Sequence, residues 1–239
     1  LAARLQEADE DTGPKLAPGM GVQANGALTL SWGQERLWAL GQVEGPSASY
    51  NIPFALRLRG ALDIAALEGA LRALVARHQP LRTLIVEQDG RPVGALLSED
   101  ELAAVFDARD LLTREDLEDV ARLPGSIAAI AGAPFDLSCD LLMRAHLIRV
   151  GRDDHVLVVV LHHSAADGSS FVVFARELGA LYGALAQGVR AGVSPGVSSR
   201  LAPLGFSYAD HAAWQRAALE SVDASGISEL DRQVAHWTQ

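Results

Sequence analysis

Cysteine is nearly missing: Cys139 stands alone in 239 residues, which excludes an internal disulfide framework and suits a reducing compartment. Basic charge is in deficit too. Twenty Lys and Arg against 30 Asp and Glu leave a net charge of −10, without the clustered cations that nucleic acid requires. No apolar run approaches the roughly 18 residues of a membrane span and no signal peptide is seen, so a soluble, cytoplasmic chain is expected. Seven histidines occur without H-E-x-x-H or C-x-x-C, and no metal site is expected. G-x-x-x-x-G-K-S/T and G-x-G-x-x-G are absent, which leaves nucleotide binding without support. Internal repeats are absent as well. What the chain does have is 49% hydrophobic residues, enough for a sizeable core in one large or two small domains.

The informative stretch begins at Val156. Six apolar residues, four of them valine, run to Leu161 and read as a strand buried on both faces. His162 and His163 follow, then Ser164, Ala165, Ala166, Asp167, Gly168, Ser169 and Ser170. Beyond them Phe171, Phe174, Leu178, Leu181 and Leu185 fall at helical spacing. Successive strand side chains point to opposite faces, so one histidine should face a cleft and the other should pack behind it. Asp167 is close enough for the loop to fold back. Gly168 allows a positive φ at the turn into the helix, and Ser169 or Ser170 is expected as its N-cap.

The remaining elements are read in chain order. Residues 1–27 open with a helical scrap, Leu1 to Leu5, and pass into an acidic, Gly/Pro-rich linker. Ser31 is expected to cap a short helix that buries Leu37, Trp38 and Leu40. Residues 54–60 alternate as a half-exposed strand, and Asp63 should cap a helix to Arg77 with Leu67, Ala70, Leu71 and Leu74 on its buried face. A hairpin is expected over 84–97, turning at Asp89-Gly90. Thr113 is expected to cap a helix from Arg114 to about Ala131 that Pro124 and Gly125 break or kink. A second hairpin should join 143–150 to 155–161. Gly192 to Gly196 match G-x-S-x-G, but a helix precedes them and Pro195 follows the serine, so the match is chance.

His162-His163-x-x-x-Asp167-Gly168 resembles the H-H-x-x-x-D-G core of condensation domains of non-ribosomal peptide synthetases. Ser31, Gln34, Arg36, Leu37, Trp38 and Leu40 resemble that family's S-x-A-Q-x-R-L-W-x-L, with Gly33 for its alanine. Arg77-His78-Gln79-Pro80-Leu81-Arg82-Thr83-Leu84-Ile85 resembles R-H-E-x-L-R-T-x-F, with Gln79 for the acid. Residues 134–144 resemble P-F-D-L…L-L-R-A, and Tyr208 to Gln215 resemble Y-x-D-x-A-x-W-Q.

The resemblance implies an α/β fold, an α+β two-layer sandwich like one lobe of chloramphenicol acetyltransferase. Residues 28–239 would be the N-terminal lobe, with the C-terminal lobe absent and residues 1–27 a linker following an upstream carrier domain. The implied reaction joins a carrier-bound acyl or peptidyl thioester to a carrier-bound aminoacyl amine. His163 would be its base or its positioning donor, a choice that stays open, with His162 packed behind it. Asp167 would be ion-paired with Arg77, Arg82 or Arg36, and Gly168 would complete the loop. No cofactor is bound directly; 4′-phosphopantetheine would arrive on donor and acceptor carrier domains. Further implied partners are the C-terminal lobe and an adjoining adenylation domain. Epimerization domains share the histidine motif but differ in the first two blocks. A stand-alone CoA-dependent acyltransferase would lack the carrier-like linker, and a non-catalytic recruitment domain should have a disrupted histidine motif.

Overall fold

The computed structural model describes residues 14–188, 201–222 and 226–238. The Leu1–Leu5 scrap and the Gly192–Gly196 match lie outside them. The chain divides into two units, residues 33–204 and residues 1–32 with 205–239.

In chain order the elements are α1 (Trp32–Glu44), β1 (Asn51–Arg59), α2 (Ile64–Arg77), β2 (Thr83–Gln88), β3 (Arg91–Leu96), α3 (Glu99–Ala108), β4 (Leu112–Asp116), α4 (Leu123–Ala131), β5 (Met143–Gly151), β6 (Asp154–His162), α5 (Ser170–Ala186), α6 (Tyr208–Glu220) and α7 (Glu229–Trp237). The larger unit is built on a four-stranded sheet in the order β1-β6-β5-β4. β6 pairs antiparallel with β1 and β5, whereas β4 runs parallel to β5. β2 and β3 form a separate hairpin. Its turn places Asp89 and Gly90 at φ 52° and 76°, the left-handed pair that a two-residue connection requires.

The valines of β6 divide between two hydrophobic clusters at period two. Leu157, Val159 and Leu161 pack with Leu67, Leu71 and Leu74 of α2 and Phe174, Leu178 and Leu181 of α5. Val156, Val158 and Val160 face the other way, onto Phe135, Leu142 and Ile148, with Leu123, Ile127 and Ile130 of α4 packed against them. Each fully buried Leu or Val contributes roughly 1.5–3 kcal/mol by leaving water. β6 is therefore an anchored platform for whatever its C-terminal end carries.

Between 97 and 131 the structure departs from expectation. Thr113 caps no helix. Ser98 instead caps α3 in a reciprocal box with Glu101, and Leu112–Asp116 is a strand. It is held by parallel pairing with β5, a long-range cause with no local pattern. Pro124 breaks nothing, because it sits in the first turn of α4, where its missing N–H has no intrahelical partner to lose.

In the smaller unit, Ser207 and Asp210 cap α6 and Ser228 and Asp231 cap α7, both as reciprocal boxes. Residues 14–30, of which 14–27 are expected to be linker, are fastened to α6. The Gly21 N–H donates to Asp210 Oδ1 at 3.0 Å, Trp214 Nε1–H donates to the Pro14 carbonyl at 2.8 Å, and Arg216 Nε–H donates to the Leu30 carbonyl at 2.9 Å. A Cβ on Gly21 would lie 2.2 Å from the Ala209 carbonyl carbon, so glycine is required here by contact.

Candidate active site

The end of β6 decides how the two histidines differ. The His162 N–H donates to the Leu142 carbonyl at 3.2 Å, and the His163 N–H donates to the Tyr50 carbonyl at 2.9 Å, just ahead of β1. A turn follows, closed by the Ala165 N–H on the His162 carbonyl at 2.9 Å. His162 is 5% exposed, with its ring edge-on to those of Phe135 and Tyr50 at 5.8 and 6.4 Å. His163 is exposed.

Burial, and then the neighbouring His163, push the His162 pKa down to about 4. The ring is therefore neutral near pH 7. Its Nδ1 accepts the Ser164 N–H at 3.2 Å and pairs with Ser164 Oγ at 2.8 Å. On its side of the strand lies a cavity of about 460 Å³, walled by Trp38, Tyr50 and Phe135.

Asp167 is not ion-paired as expected. Its Oδ1 accepts the Ser169 and Ser170 N–H groups at 3.0 and 3.1 Å and both serine hydroxyls at 2.6 and 3.0 Å. Those bonds, led by the Ser169 hydroxyl, hold the carboxyl below its usual range. The acid thus satisfies the first amide of α5 and that of the residue before it, whereas capping was expected of Ser169 or Ser170. Among the described residues no arginine pairs with it, because the three candidates are placed otherwise. Arg77 Nε–H donates to Glu177 Oε2 at 3.1 Å. Arg82 donates to the carbonyls of Ala76 and Leu97. Arg36 is exposed. Gly168 is not at positive φ, and a Cβ there would meet nothing within 4 Å.

Two buried polar residues carry weight that sequence reasoning passed over. Gln34, 6% exposed, donates Nε2–H to the Ser164 carbonyl at 3.0 Å and ties α1 to the histidine loop. It precedes Leu37 by three residues, so helical spacing alone puts it on the buried face. Glu177, 3% exposed, joins Arg77 and, at 2.8 Å, His78 Nε2, and so fixes α5 against α2. It follows Phe174 by three, on the same apolar stripe.

A buried, neutral imidazole that lines this cavity and an exposed one next to it in the chain thus share a loop tied to Tyr50 and to Gln34 of α1. A family profile described as Condensation domain matches residues 24–238, and the chain belongs to that family. One of the linear gramicidin synthase proteins of Brevibacillus parabrevis is 41% identical over 231 residues, which is 96% of this chain and 3% of that protein. Isonitrile lipopeptide synthase of Mycobacterium tuberculosis is 37% identical over 99% of this chain and 9% of its own length. The chain thus spans a small fraction of the relatives it matches. Among solved structures, the X-domain from teicoplanin biosynthesis superposes with TM-score 0.76 at 32% identity over 94% of this chain and 44% of that one. The first condensation domain of the CDA synthetase does so with TM-score 0.60 at 27% identity over 70% and 42%. No described helix is long and apolar enough to cross a membrane.

Proposed function

We propose that this chain is the N-terminal lobe of a condensation domain in a cytoplasmic peptide synthetase, and that its reaction is amide-bond formation. Its coverage of 44% and 42% of these two solved relatives supports the assignment to one lobe. The donor would be an acyl or peptidyl thioester on an upstream carrier, and the acceptor an aminoacyl thioester on a downstream carrier, each held by a 4′-phosphopantetheine arm. A C-terminal lobe and an adenylation domain would complete the module.

The observation that carries this reading is the exposed His163 on a pinned loop, backed by a neutral, buried His162. Attack by the amine requires loss of a proton as the C–N bond forms, and the thiolate of the donor arm leaves. An imidazole can take that proton or hold the developing tetrahedral species by a hydrogen bond. Asp167 then acts through loop geometry, not through direct contact with the reacting atoms.

The test is His163→Ala in the complete domain with loaded donor and acceptor carriers. Dipeptidyl product should fall by at least about a hundredfold, while the melting temperature stays within the range of a neutral surface change. Undiminished product would remove His163 from the chemistry.

A recruitment role is the second reading, because the X-domain superposes well and has been solved in complex with OxyB. The intact histidine loop argues for chemistry, and product formation separates the two readings.

A further inference from the structure

Ser164 is bound through three of its atoms, and each bond bears on a histidine. Its N–H donates to His162 Nδ1 at 3.2 Å, its Oγ meets the same nitrogen at 2.8 Å, and its carbonyl accepts Gln34 Nε2–H at 3.0 Å. Ser164 and Gln34 are 5% and 6% exposed, so water competes little for these bonds. A ring nitrogen that accepts a backbone N–H carries no proton. The hydrogen of neutral His162 is therefore on Nε2.

His163 lies between His162 and Ser164 in the chain. Its own N–H is held by Tyr50, and the residue before it is held by Leu142. The residue after it is secured through its carbonyl by Gln34 from α1. Without that tie the peptide after His163 would keep only bonds to His162 and no anchor on α1.

We propose that Gln34 and Ser164 are positioning residues: together they clamp the peptide that carries His163 and hold His162 as its Nε2–H tautomer. The catalytic half of this statement rests on the reading of His163 given above; the clamp itself does not. Gln34 is thereby more than a polar residue tolerated on an apolar helix face, and Ser164 is more than a small loop filler.

The clamp is tested on this chain by long-range ¹H–¹⁵N correlation of histidine-labelled protein. His162 should show an unprotonated Nδ1 and a protonated Nε2 at neutral pH. Gln34→Leu should average the two nitrogen signals or move the ring's titration. Ser164→Ala, which keeps the N–H donor but loses the Oγ partner of Nδ1, should move the titration, and Ser164→Thr, which keeps the hydroxyl, should keep the parent pattern. In the complete domain, Ser164→Ala and Gln34→Leu should lower kcat at least tenfold with KM for both loaded carriers within twofold, and Ser164→Thr should recover the loss. A protonated Nδ1 in the parent protein would overturn the proposal, as would variants with both the parent spectrum and the parent kcat. If His163→Ala retains turnover while the spectra behave as stated, the clamp stands and the catalytic reading fails.

Discussion

A histidine at 5% exposure takes up a proton at the expense of the fold. Its ring titrates near 6.5 in the unfolded chain and near 4 in the folded one, so between those values the unfolded state binds more protons. Stability contributed by His162 is fully present above pH 6.5 and is lost as pH falls toward 4. The loss from pH 7 to 4.5 is on the order of 2–3 kcal/mol. Burial also lowers the His146 pKa and adds a loss of the same sign, so the informative quantity is a difference. Urea unfolding of wild type should weaken more over this interval than that of His162→Asn; parallel curves would refute the assignment. Asp167 makes a different prediction, because its partners are serines and amides. Asp167→Ala should cost about 1 kcal/mol, the usual worth of a helix cap, and Asp167→Asn, which keeps an accepting oxygen, only a few tenths. Thermal melts decide: an asparagine as damaging as alanine would restore the ion pair that the geometry removes.

Between elements, the contact most exposed to a single change is α2 against α5. Glu177 accepts from Arg77 at 3.1 Å and from His78 at 2.8 Å, and its side chain and that of Arg77 are 5% and 11% exposed. Removing the acid leaves a guanidinium with poor access to water. Glu177→Ala should destabilise by on the order of 3 kcal/mol, measured by denaturant titration, and a double variant with Arg77→Leu should recover part of the loss. A cost within the range of surface substitutions would show that the pair is bystander geometry. The neighbouring α3 teaches the opposite lesson. Its cap, Ser98 with Glu101, is entirely local, and S-x-x-E before an apolar run is a readable start signal.

For the whole molecule, the decisive feature is apolar surface just beyond the histidine loop. Phe171, Val172 and Val173, in the first turns of α5, are 38%, 69% and 38% exposed. Surface of this kind favours association with a partner face. This chain incubated with loaded donor and acceptor carriers should form no dipeptidyl product detectable by mass spectrometry. On the function proposed above, a second wall would exclude water and bring two arms over His163, and such proximity would supply several kcal/mol of barrier reduction. Sedimentation velocity should show self-association that rises with concentration. Turnover comparable to a two-lobe domain would contradict this account.

Local physics made much of the protein legible in its sequence. The alternation of β1, the Asp63 cap of α2, the Asp89-Gly90 turn and the all-apolar run of β6 follow from short-range sterics and from burial on one or both faces. Period two likewise separates a buried His162 from an exposed His163. The tertiary structure decided what depends on partners distant in the chain. β4 exists because β5, well downstream, pairs with it. Residues 14–30 are ordered by three donors on or toward α6, although the composition of 14–27 reads as linker. The choice among Arg36, Arg77 and Arg82 for Asp167 had the right charges but no distances. In the fold Glu177 claims Arg77, backbone carbonyls claim Arg82, and adjacent serines satisfy the acid. Charge complementarity names candidates for a pair; only packing, by bringing one acceptor within hydrogen-bond reach and leaving the others outside, selects the partner.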